Sequence, residues 1–370
     1  MQPEGSTTTL GPQPRPGVLP SAVTEPTHPG RHRVVLTLSL LGTVAVGALV
    51  AAQSRLNGEM AVVLTPAVLG GWRGPGSDRV AAGIDAAVVS FVIGWVPLVV
   101  GMLLLPAGRR GVRALVASVR TGRLRWWQTI GGFGGAAFVM SQGIAVPVLG
   151  VAVFTVAVVA GLTGGSLLVD HVGLSPNGAR PLAARRVLGC LLAVLGVAVS
   201  VWSSLAHGVG LGSGVVVLVL VVGLSLLVGA GTSAQQAVNG HVALQSGSAW
   251  AATLVNFTAG LLLLLLLRLT VVGTVPPAPL PGDWWLYLSG PIGMAFIVLA
   301  AALVRTLGVL LLSLGNTAGQ LVGSIGLDEV FPTGAGRPGV VELAAAVLIF
   351  AAVVLAASRP RRARPAAPVS

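Results

Sequence analysis

Apolar residues along this chain come in long runs, not in alternation. Ten such runs, at about 34–56, 83–105, 126–147, 149–169, 185–204, 213–236, 249–272, 284–304, 306–327 and 340–357, are separated by short polar segments. Each is near the roughly 20 residues that a helix needs to cross a bilayer at about 1.5 Å per residue. In lipid only helices and closed barrels satisfy every backbone polar group, and continuous apolar runs select helices. The pattern predicts an all-α membrane protein with ten transmembrane helices. Trp126, Trp127, Trp284 and Trp285 open the third and eighth runs, as interface aromatics do.

A few polar positions recur inside these runs. Gln53, three residues, then Asn57-Gly58 returns as Gln235, three residues, then Asn239-Gly240, at an offset of 182. Ser90-Phe91 with Gly94 returns as Asn256-Phe257 with Gly260, at an offset of 166. At 158, Trp126-Trp127 pairs with Trp284-Trp285, Gly135 and Phe138 with Gly293 and Phe296, and Leu149-Gly150-Val151 with Leu307-Gly308-Val309. The same offset pairs Gly161 with Gly319, Ser166 with Ser324 and Asp170 with Asp328. The first change of offset places a 16-residue insertion around Gly70–Asp85. Self-similarity in this order predicts a tandem repeat. Each copy holds five runs, so the second enters the membrane from the opposite side. Inverted-topology repeats of this kind build secondary transporters, with the substrate path at the repeat interface. The expected organisation is a disordered cytoplasmic tail at 1–32, repeat 1 at 33–205, repeat 2 at 206–358 and a basic cytoplasmic tail at 359–370.

Composition agrees with the membrane reading: 54% of the 370 residues are hydrophobic, 9% are charged, and the mean hydropathy is +0.91. The net charge of +12 would fit a nucleic-acid binder, yet all 22 basic residues are Arg and cluster between the runs. With the N-terminus inside, 17 fall in cytoplasmic segments, and only Arg55, Arg73, Arg79, Arg268 and Arg337 fall outside. That bias predicts both termini in the cytoplasm, the lipid bilayer as partner, and no nucleic-acid partner. A homodimer is left open. Cys190 and the five His show no metal spacing, and no cofactor is expected. Gly208–Gly214 resembles a phosphate loop but lacks the following Lys-Ser/Thr, which leaves a hinge between repeats.

Candidate chemistry follows from the polar positions. Gln53 and Asn57 are four apart and share a helix face, as do Gln235 and Asn239; Arg55 and Glu59 can pair on another face. Helix length puts one copy of the motif near each membrane face, which makes Gln53, Asn57, Gln235 and Asn239 gate candidates. Ser90, Gln142, Asn256, Asn316 and Gln320 lie deeper and are the substrate-binding candidates, since amides can bond a polar solute or an ion. The alternative is interhelical hydrogen bonding, with Asn-Gly ending each span. Asp170 and Asp328 end equivalent runs and are expected to anchor loops, to Arg180 or Arg337. Gly131 with Gly135, Gly161 with Gly165, and Ser225 with Gly229 are small-residue pairs that allow close helix packing.

Taken together, Gln-x-x-x-Asn-Gly, Ser/Asn-Phe-x-x-Gly, Trp-Trp and the small-residue run ending in Asp170-His171-x-Gly173 resemble the YdcZ-like branch of the drug/metabolite transporter superfamily. The chain is similar to two five-helix units of that branch fused in tandem. The second unit departs at Glu329 and Phe331, which stand where the first has His171 and Gly173, and it lacks the basic loop before the last helix. The resemblance implies a transporter of small metabolites or drug-like solutes in the plasma (inner) membrane. It supplies no substrate. The rival expectations are a non-transporting membrane scaffold and, behind it, a membrane-embedded enzyme on lipid-linked substrates, for which the few acids are too scattered.

Overall fold

The computed structural model describes residues 29–68, 75–174, 178–179, 181–206, 214–273, 279–332 and 337–357. The expected tails apart from residues 29–32, the Gly208–Gly214 hinge apart from Gly214, and Arg180 lie outside the described residues. Among those described, the chain is helical with no strand: α1 Pro29–Val68, α2 Pro75–Leu104, α3 Pro106–Arg120, α4 Gly132–His171, α5 Ala184–Ala206, α6 Val215–Ser246, α7 Ala249–Leu267, α8 Ser289–Val330 and α9 Val340–Ala357. Short 3₁₀ turns at Trp126–Ile130 and Trp284–Leu288 precede α4 and α8, and a π turn at Arg268–Val272 ends α7. Among the described residues, seven helical stretches are long and apolar enough to cross a bilayer. This is a multi-pass membrane protein.

Local sequence explains the boundaries. Leu105 is extended (φ −93°, ψ 123°), as the residue before a proline prefers to be, and Pro106 then opens α3 at a position where no backbone donor is missed. Gly247 takes a left-handed φ of 62° to close α6, and Ser248 Oγ caps α7 by accepting from Ala251 N at 3.2 Å. Two residues, Gly247 and Ser248, therefore suffice to turn α6 into α7.

Some expectations change. The first apolar run does not stop at Asn57-Gly58: α1 continues to Val68, and α6 likewise passes Asn239-Gly240 to reach Ser246. Both motif copies are thus inside helices and do not terminate them. Gly58 serves packing instead, because a Cβ there would collide with Val146 of α4. The basic segment after α2, expected as a loop, forms the amphipathic helix α3.

The third and fourth runs make one 40-residue element, α4, but Gly150 breaks it with φ 75° and ψ 169°, three residues after Pro147. Contacts with α6 show what the break does. Before it, Gly131 faces Asn239 and Gly135 faces Gln235, so the two helices run antiparallel. After it, Gly161 faces Leu226 and Gly165 faces Ala230, so they run parallel. The chain doubles back at Gly150. α8 does the same against α1: Gly293 faces Gln53 and Leu303 faces Gly42, then Gly315 faces Thr43, Gly319 faces Val44 and Gly323 faces Ala48. A straight helix would carry 293 and 323 about 45 Å apart, yet both lie beside the 48–53 level of α1.

These contacts also match one another. Gly161 on Leu226 corresponds to Gly319 on Val44, Gly229 on Val158 to Gly47 on Asn316, and Gly132 on Asn256 to Gly290 on Ser90. In each pair a Cβ would overlap the partner's backbone, so only glycine permits the approach. Every correspondence uses the offsets 182, 166 and 158 read from the repeat, and every contact joins one copy to the other. Phe91 and Phe257, equivalent to each other, stack with centroids 5.0 Å apart. The copies interlock, each burying the small-residue face of the other.

Candidate functional site

Two amide clusters form around the repeated motif. In the first, Asn57 Nδ2 donates to Gln142 Oε1 at 2.7 Å, and Gln142 Nε2 donates to Ser54 Oγ at 2.8 Å. Asn57 and Gln142 are fully buried, and Gln53, one turn earlier on α1, lies against Gly293. The helix spacing of four residues predicted that Gln53 and Asn57 share a face. Their junction with Gln142 needed the approach of α4, which Gly58 and Gly143 allow by lying against Val146 and Ala61.

In the second cluster, Gln235 Nε2 and Asn239 Nδ2 both donate to Asn256 Oδ1, at 2.9 and 3.0 Å. Asn256 is buried, whereas Gln235 and Asn239 are only half-buried. Residues assigned separately to gates and to a deeper site are therefore bonded to each other in both copies. Ser90 is buried with its carbonyl against Gly290, and Asn316 and Gln320 present their backbone to Gly47. Asn57 Oδ1 and Asn316 Oδ1 are shut off from solvent with no hydrogen-bond partner, a cost of about 1–3 kcal/mol each unless something binds there.

Beyond the first cluster, α1 continues into a cleft of about 480 Å³, in the range of small-molecule sites. Arg55 and Glu59 line one side; Pro147, Asp283, Trp285 and Leu286 line the others. Arg55 and Glu59 pair at 2.6 Å as their spacing predicts, while Arg55 Nη1 is buried without a partner. The cleft adjoins the Gly150 break, whose new, buried helix N-terminus is met by a side chain of α8. Asp328, buried, accepts from Ala152 N at 2.7 Å, with Val151 N directed at the same carboxylate and Arg55 close enough to act on its charge. An anion at a helix N-terminus meets unsatisfied donors and the positive end of the dipole.

Asp328 therefore does not anchor a loop to Arg337, which instead stands 3.9 Å from Glu329. Asp170, at the end of α4, pairs with Arg186 in the first turn of α5 at 2.7 Å, while the expected partner Arg180 lies outside the described residues. At the Gly150 end a further ion pair, Asp85 with Arg268 at 2.6 Å, joins α2 of the first copy to the end of α7 in the second. The role of Asp328 was missed because a trans cap leaves no local trace. The available signal was Pro147 followed by Gly150 in an unbroken apolar run.

Two stretches of the chain, residues 77–199 and 220–355, each match the family described as "Putative inner membrane exporter, YdcZ". One match falls in each copy of the repeat, and together they cover more than two thirds of the chain. No curated protein matches the chain.

Proposed function

The chain belongs to the YdcZ family of membrane transporters, and from that premise we propose that it is a secondary transporter carrying a small metabolite or drug-like solute by alternating access between two inverted five-helix repeats. The reading takes α4 and α8 as two crossings each and α3 as lying along the surface, which gives ten crossings with both termini cytoplasmic. The observation that carries it is the cross-packing under a single set of offsets: each glycine contact from one copy to the other has an equivalent contact running the opposite way between the copies. Surfaces built this way can rock without breaking either copy.

In this reading the cleft beside Arg55 is the vestibule on one face, and the first amide cluster closes it. The second cluster guards the other face. The solute passes between Gln142 and Asn256, where amides can trade their mutual hydrogen bonds for bonds to a polar group. Ser90, Asn316 and Gln320 complete the path.

The test is transport by the protein reconstituted in vesicles, with substrates found first by thermal stabilisation across a metabolite set. Replacing Gln53, Asn57, Gln235 and Asn239 together by Ala is expected to lower the rate at least tenfold. Unchanged transport would remove the gating role, and absence of any transported solute would favour the scaffold reading.

A further inference from the structure

Between Asp85 and Asp170 the chain carries no acidic residue, and between Asp170 and Asp283 it again carries none. α3 lies in the first of these stretches, and the parts of α6 and α7 that it packs on lie in the second. Gly108, Gly111, Leu115 and Ser118 form its buried face. Gly111 sits against Ser248 and Ala251 at the α6–α7 turn, and Leu115 joins Leu124, Val242 and Ala252 in a small apolar cluster. Ser118 Oγ donates to Gln245 O at 3.4 Å. The helix is fixed in place by this face.

The opposite face is cationic. Arg109, Arg110, Arg113 and Arg120 are exposed along it, and Arg123 and Arg125 follow in the next turn, also exposed. Six like charges this close repel one another, and the acids on the helices packed against α3, Asp78 and Asp85 of α2, lie about 28 Å or more back along that helix from its α3 end, too far to offset the repulsion. Both ends of the segment are bounded by exposed apolar side chains, Leu104 and Trp126, each 71% exposed, with Leu105 and Val116 between them. In a membrane protein those side chains belong in lipid, which places the arginines at headgroup depth.

We propose that α3 and the turn after it form a docking surface for anionic phospholipid headgroups, held against the α6–α7 turn. Arginine suits the task because its planar donors grip phosphate oxygens in pairs, and each basic residue near an anionic surface adds to the attraction. Phospholipid is favoured over a soluble polyanion because the apolar side chains flanking the arginines at both ends need acyl chains to cover them. Through the α6–α7 turn, bound headgroups would also brace the helix pair that carries Asn239 and Asn256.

The test uses the full chain, purified in detergent with a phosphatidylcholine–phosphatidylglycerol mixture and read by native mass spectrometry. The wild type is expected to retain phosphatidylglycerol over phosphatidylcholine by about tenfold. The triple variant R109Q/R110Q/R113Q should lose that preference, the charge-keeping R109K/R110K/R113K should hold most of it, and R337Q, at another exposed arginine, should leave it intact. Equal retention of both lipids by the wild type would overturn the proposal, as would an unchanged preference in the Gln variant. Heparin displacing phosphatidylglycerol completely would do the same, because it would show binding of any polyanion. Should the triple variant fail to fold, R110Q alone carries the test with a smaller expected loss.

Discussion

The two copies of the Gln-x-x-x-Asn-Gly motif start from the same residues and end in different states. In the first, the hub is Gln142 of α4, and the cluster is sealed from solvent. In the second, the hub is Asn256 of α7, and Gln235 and Asn239 stay half-buried. The repeat shows why the hub moves. The equivalent of Asn256 is Ser90 and the equivalent of Gln142 is Ala300, neither of which carries an amide. Each copy keeps one hub amide, on a different helix. The acids diverge too: Asp328 closes the Gly150 end by capping a helix of the other copy, whereas its mate Asp170 pairs within its own copy to Arg186. Equivalent sequence thus builds one tight end and one looser end.

That contrast can be broken in graded steps. The largest effect should come where the copies behave alike. Gly161→Leu and Gly319→Leu each force a side chain into the facing backbone, at a cost of about 3 kcal/mol or more. Both variants should melt far below the wild type in detergent, by similar amounts; a large loss from only one would show that the interlocking is not symmetric.

Next comes the tight end. Asp328→Ala strips the acceptor from Ala152 N and should cost about 2 kcal/mol, measured as a fall in Tm, while Asp170→Ala should cost well under half of that. Equal losses would mean that the trans cap adds nothing beyond an ion pair.

The hubs should separate less widely. Gln142→Leu leaves Asn57 without its acceptor in a fully buried place, for about 1–3 kcal/mol, and Asn256→Leu leaves two half-buried donors that water can reach, for about 1 kcal/mol. Chemical unfolding of the two variants decides it, and a reversed order would put the sealed cluster at the other end. The smallest effect is expected at Arg186→Gln, about 0.5 kcal/mol, since the pair with Asp170 is partly exposed and screened by salt.

Much of this architecture could be read before any coordinates existed. Run length and the near absence of charge demanded helices in a bilayer, because lipid offers no partner for unpaired backbone groups. The repeat fixed which positions correspond, and the glycine contacts follow its offsets residue by residue. The helical spacing of Gln53 with Asn57 and of Arg55 with Glu59 was also local, hence legible. What the sequence could not decide was how far each helix runs and what each polar group meets. Asn57-Gly58 carries a stop signal, and α1 passes through it because α4 packs on Gly58. Arg109 and its neighbours looked like a loop, and they form a helix because the α6–α7 turn gives Leu115 a surface to cover. Asp328 looked like a loop anchor, and it caps a helix 176 residues earlier in the chain. Periodicity reports the forces acting along a chain. Partners from distant segments are set only when packing brings them within the few ångströms over which a hydrogen bond or a van der Waals contact operates.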